Sequence, residues 1–224
     1  MRIVFIGLLA FMVTASAQTT PATRRTITAS GSASVSATPD KAMVDVGVST
    51  QATTAQDAST QNATQVSSVL TAMRFVLGAG ADIKTISYSL NPVFSSGANP
   101  TIIGYIASNT VEATLTDLTL IGKVIDVSIA AGANRVSGIR FGLQNQDPVQ
   151  AQALKAAAAV ALAQAKAIAS GLGVQTGIVV QASQGTATVF SPTSLTAAAP
   201  ATTTPVEPGL IQVQGTVTVQ VEIQ

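Results

Sequence analysis

Residues 154–174, LKAAAAVALAQAKAIASGLGV, are dominated by alanine, and only Lys155, Gln164, Lys166 and Ser170 interrupt the apolar letters before the glycines that close the run. Alanine has the highest helix propensity and the smallest side chain after glycine. The stretch is therefore committed to a helix, and whatever covers it can come close. At about 100° per residue, Leu154, Ala158, Ala161, Ala165, Ile168 and Leu172 form one stripe. Ala153, Ala157 and Val160 widen it, while Lys155, Lys166 and Leu162 share another flank. The uninterrupted apolar run covers only residues 156–163, well short of the ~20 residues that cross a bilayer. A packing helix is expected, stopped by Gly171 and Gly173. Its widened apolar face is available for a subunit contact, and no transmembrane span is expected in the mature chain.

Around this helix the hydrophobic period switches repeatedly between two and about 3.6. In TITASGSASVSATPDKAMVDVGVSTQA two strand signals flank Pro39-Asp40. Ala42, Val44, Val46 and Val48 alternate with Met43, Asp45, Gly47 and Ser49, which places Asp45 on the face opposite the valines, toward solvent. From Thr54 to Gly80 the spacing of Val66, Val69, Leu70, Met73, Val76 and Leu77 predicts an amphipathic helix ending at Gly78 and Gly80. DIKTISYSLNPVF and TIIGYIASNTVEATLTD, joined by SSGANP, read as an antiparallel strand pair. Asp117 is placed to cap a second helix with Leu120, Val124, Val127 and Ile129/Ala130 broadly on one side. NRVSGIRFGLQN is a further strand, and Asp147-Pro148 starts the alanine helix, the acid as cap and the proline in the first turn. VQTGIVVQASQG and LIQVQGTVTVQVEIQ are strands, separated by a Thr/Ala/Pro-rich loop at 186–208 expected to project from one sheet edge.

The amino terminus points to export. MRIVFIGLLAFMVTASA has one Arg, an apolar stretch from Ile3 to Val13 and the ending Ala15-Ser16-Ala17, the build of a cleavable secretory signal. Cleavage is expected after Ala17, giving a periplasmic or secreted protein with a disordered leader at 18–25. No cysteine follows the cleavage point, which excludes a lipoprotein.

Composition narrows the chemistry. Only 9% of residues are charged and there is neither histidine nor cysteine. Serine-triad, Cys–His and histidine-based zinc chemistries are excluded. Without Arg2 ten basic residues face ten acidic ones, singly scattered apart from Arg24-Arg25. No basic stripe for nucleic acid exists. GLGVQTG at 171–177 has the wrong spacing and follows a helix instead of opening one, so it reads as a helix stop and not as a dinucleotide loop. Of the acids, Asp82, Asp117 and Asp147 fall where caps and turns are expected. Asp45 with Glu112 could pair across strands for glycosidase-like chemistry, but little aromatic surface exists to hold a sugar. No loop has calcium-ligand spacing. The Asn62-Ala63-Thr64 sequon falls inside a predicted helix and is discounted. Met43 and Met73, the only methionines left after cleavage, are too few for an oxidant sink. The expectation is no catalytic, cofactor-binding or metal-ligating residue, no cofactor, and no enzyme activity.

The order of segments resembles the SIMPL-domain family of bacterial periplasmic oxidative-stress-defence and outer-membrane immunogenic proteins. The residues carrying it are ITASGSASVSATPDKAMVDVGV, the helix from Asn62 running into DIKTISYSLNPVF, Gly104-Tyr105 with Asn109, GKVIDVSIAAGANRVSGIRFGL, and ALAQAKAIASGLGV. The resemblance implies one α+β domain over 26–224, with amphipathic helices on one face of a mostly antiparallel sheet. It also implies export, homo-oligomerisation with copies of itself as the partner, and a structural or oxidative-stress-protection role in the cell envelope. It carries over no catalytic residues. The alternative is a periplasmic module that binds a small apolar or peptide ligand.

Overall fold

The structure is a computed structural model that describes residues 24–185, 188–190 and 206–224. The segment expected to be a secretory signal, most of the expected leader and most of the Thr/Ala/Pro-rich stretch lie outside the described residues. In chain order the elements are β1 (Thr26–Ala37), β2 (Lys41–Ala52), α1 (Ala55–Leu77), β3 (Ile83–Phe94) and β4 (Ile102–Leu115). A 3-10 turn (Leu118–Leu120) leads into α2 (Ile121–Ala130), followed by β5 (Arg135–Gly142) and α3 (Asp147–Gly171). β6 (Thr176–Gln184), β7 (Thr188–Phe190) and β8 (Ile211–Ile223) complete the chain.

Every strand pair is antiparallel, as expected for the α+β class, and the expected pairing of β3 with β4 is present. The strands divide between two sheets. One has the order β1-β8-β6, with β7 also on β8; the other is β3-β4-β2-β5. Each sheet carries helices on one face, α3 on the first and α1 with α2 on the second. The second unit is nested in the first, because the chain leaves at residues 38–40 and returns at 143–146. Asp40 fastens the two crossings together. Its carboxylate accepts from the Gln144 backbone N–H at 2.6 Å, and its carbonyl accepts from the Gln144 side-chain amide at 3.1 Å.

In the second unit, Ala42, Val44, Val46 and Val48 of β2 lie beside Val111, Ala113 and Leu115 of β4 and under Val66, Val69 and Met73 of α1. Thr54 caps α1, accepting from the Asp57 N–H and donating back to the Asp57 carboxylate, so the helix begins where its first free amides are satisfied. Asp117 caps the 3-10 turn that feeds α2. The buried side of α2 differs from the expected one: Ile121, Val124, Ile125 and Ser128 are buried, while Ile129 is exposed.

In the first unit, α3 buries Ala153, Ala157, Ala161, Ala165 and Ala169, an unbroken every-fourth-residue row of alanine. This corrects the expected stripe, because Ile168 and Leu172 face outward at 44% and 64% exposure, with Val160 at 38%. Glycine on the sheet explains the choice. A Cβ at Gly31 of β1 would lie 2.3 Å from both the Ala157 carbonyl oxygen and the Ala161 nitrogen, and one at Gly215 of β8 would lie 2.9 Å from the Ala153 carbonyl carbon. Helix backbone rests on strand backbone, and larger side chains cannot enter that gap. By length and composition α3 is apolar enough to cross a membrane, but its alanine row is fitted to these two strands. Asp147, expected as the cap, lies instead in the first turn; the cap position is Gln146, which makes no side-chain cap bond, and Asn145 before it accepts from the Asp147 N–H. Gly173, at φ 71°, stops the helix as expected.

Candidate functional site

The open face of the second sheet carries a row of charge built by strand register. β2 and β4 place Asp45 directly opposite Glu112, and β3 places Lys84 opposite Glu112. On β5, Gly138 stands opposite Asp45 and Arg140 opposite Met43. The glycine brings no side chain into the space beside Asp45, so the Arg140 guanidinium reaches over both acids. It donates to Asp45 Oδ2 at 2.5 Å and Oδ1 at 3.1 Å, and also to Glu112 Oε2. Lys84 Nζ meets Glu112 Oε1 at 2.9 Å. Asp45 lies on the face expected for it, opposite the valines, but its exposure is 6% because Arg140 covers it; Glu112 is equally buried.

Two cations balance two carboxylates. The Lys84 hydrogen bond holds the Glu112 carboxyl below its ordinary 4.5, with Arg140 adding to the effect and burial opposing it. The same bond raises Lys84, and the hydrogen bond to Asp45 makes Arg140 harder still to deprotonate. A carboxyl pair that cleaves glycosides needs one member held protonated by a raised pKa. Glu112 is shifted the other way. The register thus assembles the acid pair that the sequence suggested, and the strand cations convert it into a cross-strand clamp. Sequence reasoning missed Lys84 and Arg140 as its partners; aligning the β3–β4 pair residue by residue would have placed Lys84 beside Glu112.

A second polar feature lies beneath α1. Asn62 is fully buried, and its amide donates to the Val48 and Ala107 carbonyls at 3.0 and 3.1 Å, tying the helix to β2 and β4. The sequon asparagine is thus a core tie inside α1. The remaining acids are dispersed: Asp57 at the α1 cap, Asp117 at the 3-10 turn, Asp40 at the crossing. Asp82 contributes its carbonyl to the Thr114 N–H. Among the described residues, no group of three or more carboxylates could hold a metal ion. An open groove of about 510 Å³ runs along α1 and α2, lined by Ser67, Ser68, Thr71, Ala72, Phe75 and Val127.

Two helix-backed antiparallel sheets, carrying a charge-balanced strand row and a glycine-seated alanine helix, define an α+β class of protein built on packing. The sequence matches the SIMPL family, described as a protein of unknown function (DUF541), over residues 27–221, and the chain belongs to that family. It is 29% identical over 164 residues to proteins of Brucella melitensis biotype 1 and Brucella abortus strain S19, each named 26 kDa periplasmic immunogenic protein. That match covers 70% of this chain and 66% of the Brucella melitensis protein. It is 30% identical over 132 residues to the uncharacterized protein YggE of Escherichia coli strain K12, covering 58% of this chain and 54% of YggE. The match thus spans just under two thirds of the length of the first relatives and about half that of YggE.

Proposed function

We propose that this chain is an exported, non-enzymatic SIMPL-domain protein that works in the cell envelope by assembling with copies of itself, as a structural or oxidative-stress-protection component. The observation that carries the reading is the apolar surface left on separate elements. Val160 and Ile168 are exposed on α3 and Leu172 at its C-cap, Ile178, Val179 and Val180 on β6, and Phe94, Ile102 and Ile103 at the β3–β4 end. A chain with 9% charged residues has few charges to keep such exposed apolar side chains apart from those of another copy, and large exposed apolar side chains in this number favour association. The periplasmic naming of the Brucella relatives supports an envelope location. Light scattering on the mature chain tests the assembly: a uniform species larger than one chain is expected, and a monomer at micromolar concentration overturns it. Mass spectrometry of the exported protein is expected to find Gln18 at its amino terminus.

The groove along α1 and α2 favours a second reading, a binding module for a small apolar or peptide ligand, with Phe75 at 90% exposure as the contact. A ligand that raises the melting temperature of the native chain but not of Phe75→Ser would establish it.

A further inference from the structure

We infer that the outer edge of β1 is a self-pairing surface, on which two copies join β1 to β1 antiparallel and lay their α3 helices side by side. This rests on the homo-oligomer reading above and names its interface.

The four sheet edges are not alike. An exposed edge presents unpaired amides and carbonyls, and proteins blunt such edges with charge, proline, bulges or short length. β3 has Lys84, Pro92 and two register shifts. β5 is 8 residues long, carries Arg135 and Arg140, and is bulged. β6 has two register shifts. β1 has none of these devices. Its 12 residues, TITASGSASVSA, contain no charge and no proline, and their register with β8 is continuous from Thr26 to Ala37. Among the described residues, β8 is the only strand paired with it.

The edge also complements itself. A two-fold axis normal to the sheet keeps each face on its own side, as an isologous contact requires. Ile27, Ala29, Ala33 and Val35 would continue the apolar face, and Thr28, Ser30, Ser32, Ser34 and Ser36 the hydroxyl face. Such hydroxyls already pair within the sheet, Ser30 with Thr218 at 2.9 Å. Antiparallel pairing also brings Arg24-Arg25, just before β1, beside residues 38–40 of the other copy, which include Asp40. Arg24 is available for this, being 58% exposed and reaching Glu222 only at 4.0 Å.

The helices fit the same arrangement. Gly31 on β1 and Gly215 on β8 both touch α3, so its axis lies between these neighbouring strands. With strands about 4.8 Å apart, two-fold pairing sets the two α3 axes about 10 Å apart, the normal separation of packed helices. Val160 and Ile168 on α3 and Leu172 at its C-cap follow one another at multiples of four residues, each three positions after an alanine of the buried row, and are exposed in the single chain; the pairing gives them a partner.

The chain has no cysteine, so one introduced thiol reports its own surroundings. Ser32→Cys, treated with oxidant or a short bis-maleimide, is expected to link into a covalent dimer. Ser183→Cys on β6 is expected to stay single. Ser30→Lys with Ser34→Lys, which sets like charges against each other across the pair, is expected to reduce the native assembly to a smaller species while circular dichroism stays unchanged. If the native chain assembles but Ser32→Cys does not link, or Ser183→Cys links in its place, the β1 interface is overturned and the assembly reading stands. If the native chain is a monomer, both fall.

Discussion

Removing Arg140 would leave Asp45 and Glu112 buried and directly opposed, with Lys84 neutralising only Glu112. Breaking a buried ion pair at one partner costs about 3–5 kcal/mol. The Arg140 side chain is half exposed, and solvent screening reduces the expected loss for Arg140→Ala to about 2 kcal/mol. Arg140→Lys recovers only part of it, since one ammonium cannot fork across two carboxylates. Urea unfolding at fixed protein concentration measures this, and a change within about 0.5 kcal/mol would mark the clamp as ornamental. Acid tests the same cluster. Glu112 titrates below 4.5 in the folded chain, so its contribution to stability is present above that pH and lost as pH falls through the lowered value. Lys84→Met removes the largest cause of the lowering. It is expected to make acid unfolding begin at higher pH than in the native chain, and coincident acid profiles would contradict the assignment.

The contact between α3 and its sheet makes a prediction at the scale of the element. Overpacking costs about 1–3 kcal/mol where side chains can give way, but at Gly31 the obstruction is helix backbone at 2.3 Å. Gly31→Ala is expected at or above the top of that range, about 3 kcal/mol. Gly215→Ala, with its closest approach at 2.9 Å, is expected to cost less. Thermal melts showing the reverse order would refute the close-contact account. The same contact shows why the sequence was legible only in part. Periodicity places α1, α2 and the long strands, and alanine's helix propensity places α3, because period and propensity are properties of each segment alone. The buried side of α3 is set by a partner: Gly31 and Gly215 select alanine over the larger Ile168 and Leu172, and hydrophobicity alone ranks these in the opposite order. α2 is similar: Ile121, Val124 and Ile125 join the core shared with α1, β2 and β4, a choice made by those partners and not by the helix's own period. The Asp45–Glu112 pair was visible as an option, whereas the neutralising cations depend on the register of three strand pairs.

At the scale of the whole molecule, one helix-backed sheet is inserted into another, and each keeps its own core. Val44, Val69, Met73 and Val124 belong to the inner unit, whereas Ile27, Ala157, Ala161 and Val219 belong to the outer one. The Asp40–Gln144 clasp fastens the crossings, and Val206, on the way to β8, packs against the inner core. Cooperative units of this kind open separately when their shared contacts are few. Gly31→Ala strikes only the outer unit, so amide exchange is expected to accelerate in β1, α3, β6 and β8 while α1, β2 and β4 keep their native protection. Asp40→Ala leaves both cores intact and frees the crossings, so it is expected to accelerate exchange at 143–146 with little change in either sheet. Uniform loss of protection across both sheets in Gly31→Ala would show that the two cores fold as one. The clasp would then be incidental to a single cooperative structure, and self-association through β1 would have to be read as stabilising the entire chain, where separate cores confine its effect to the outer unit.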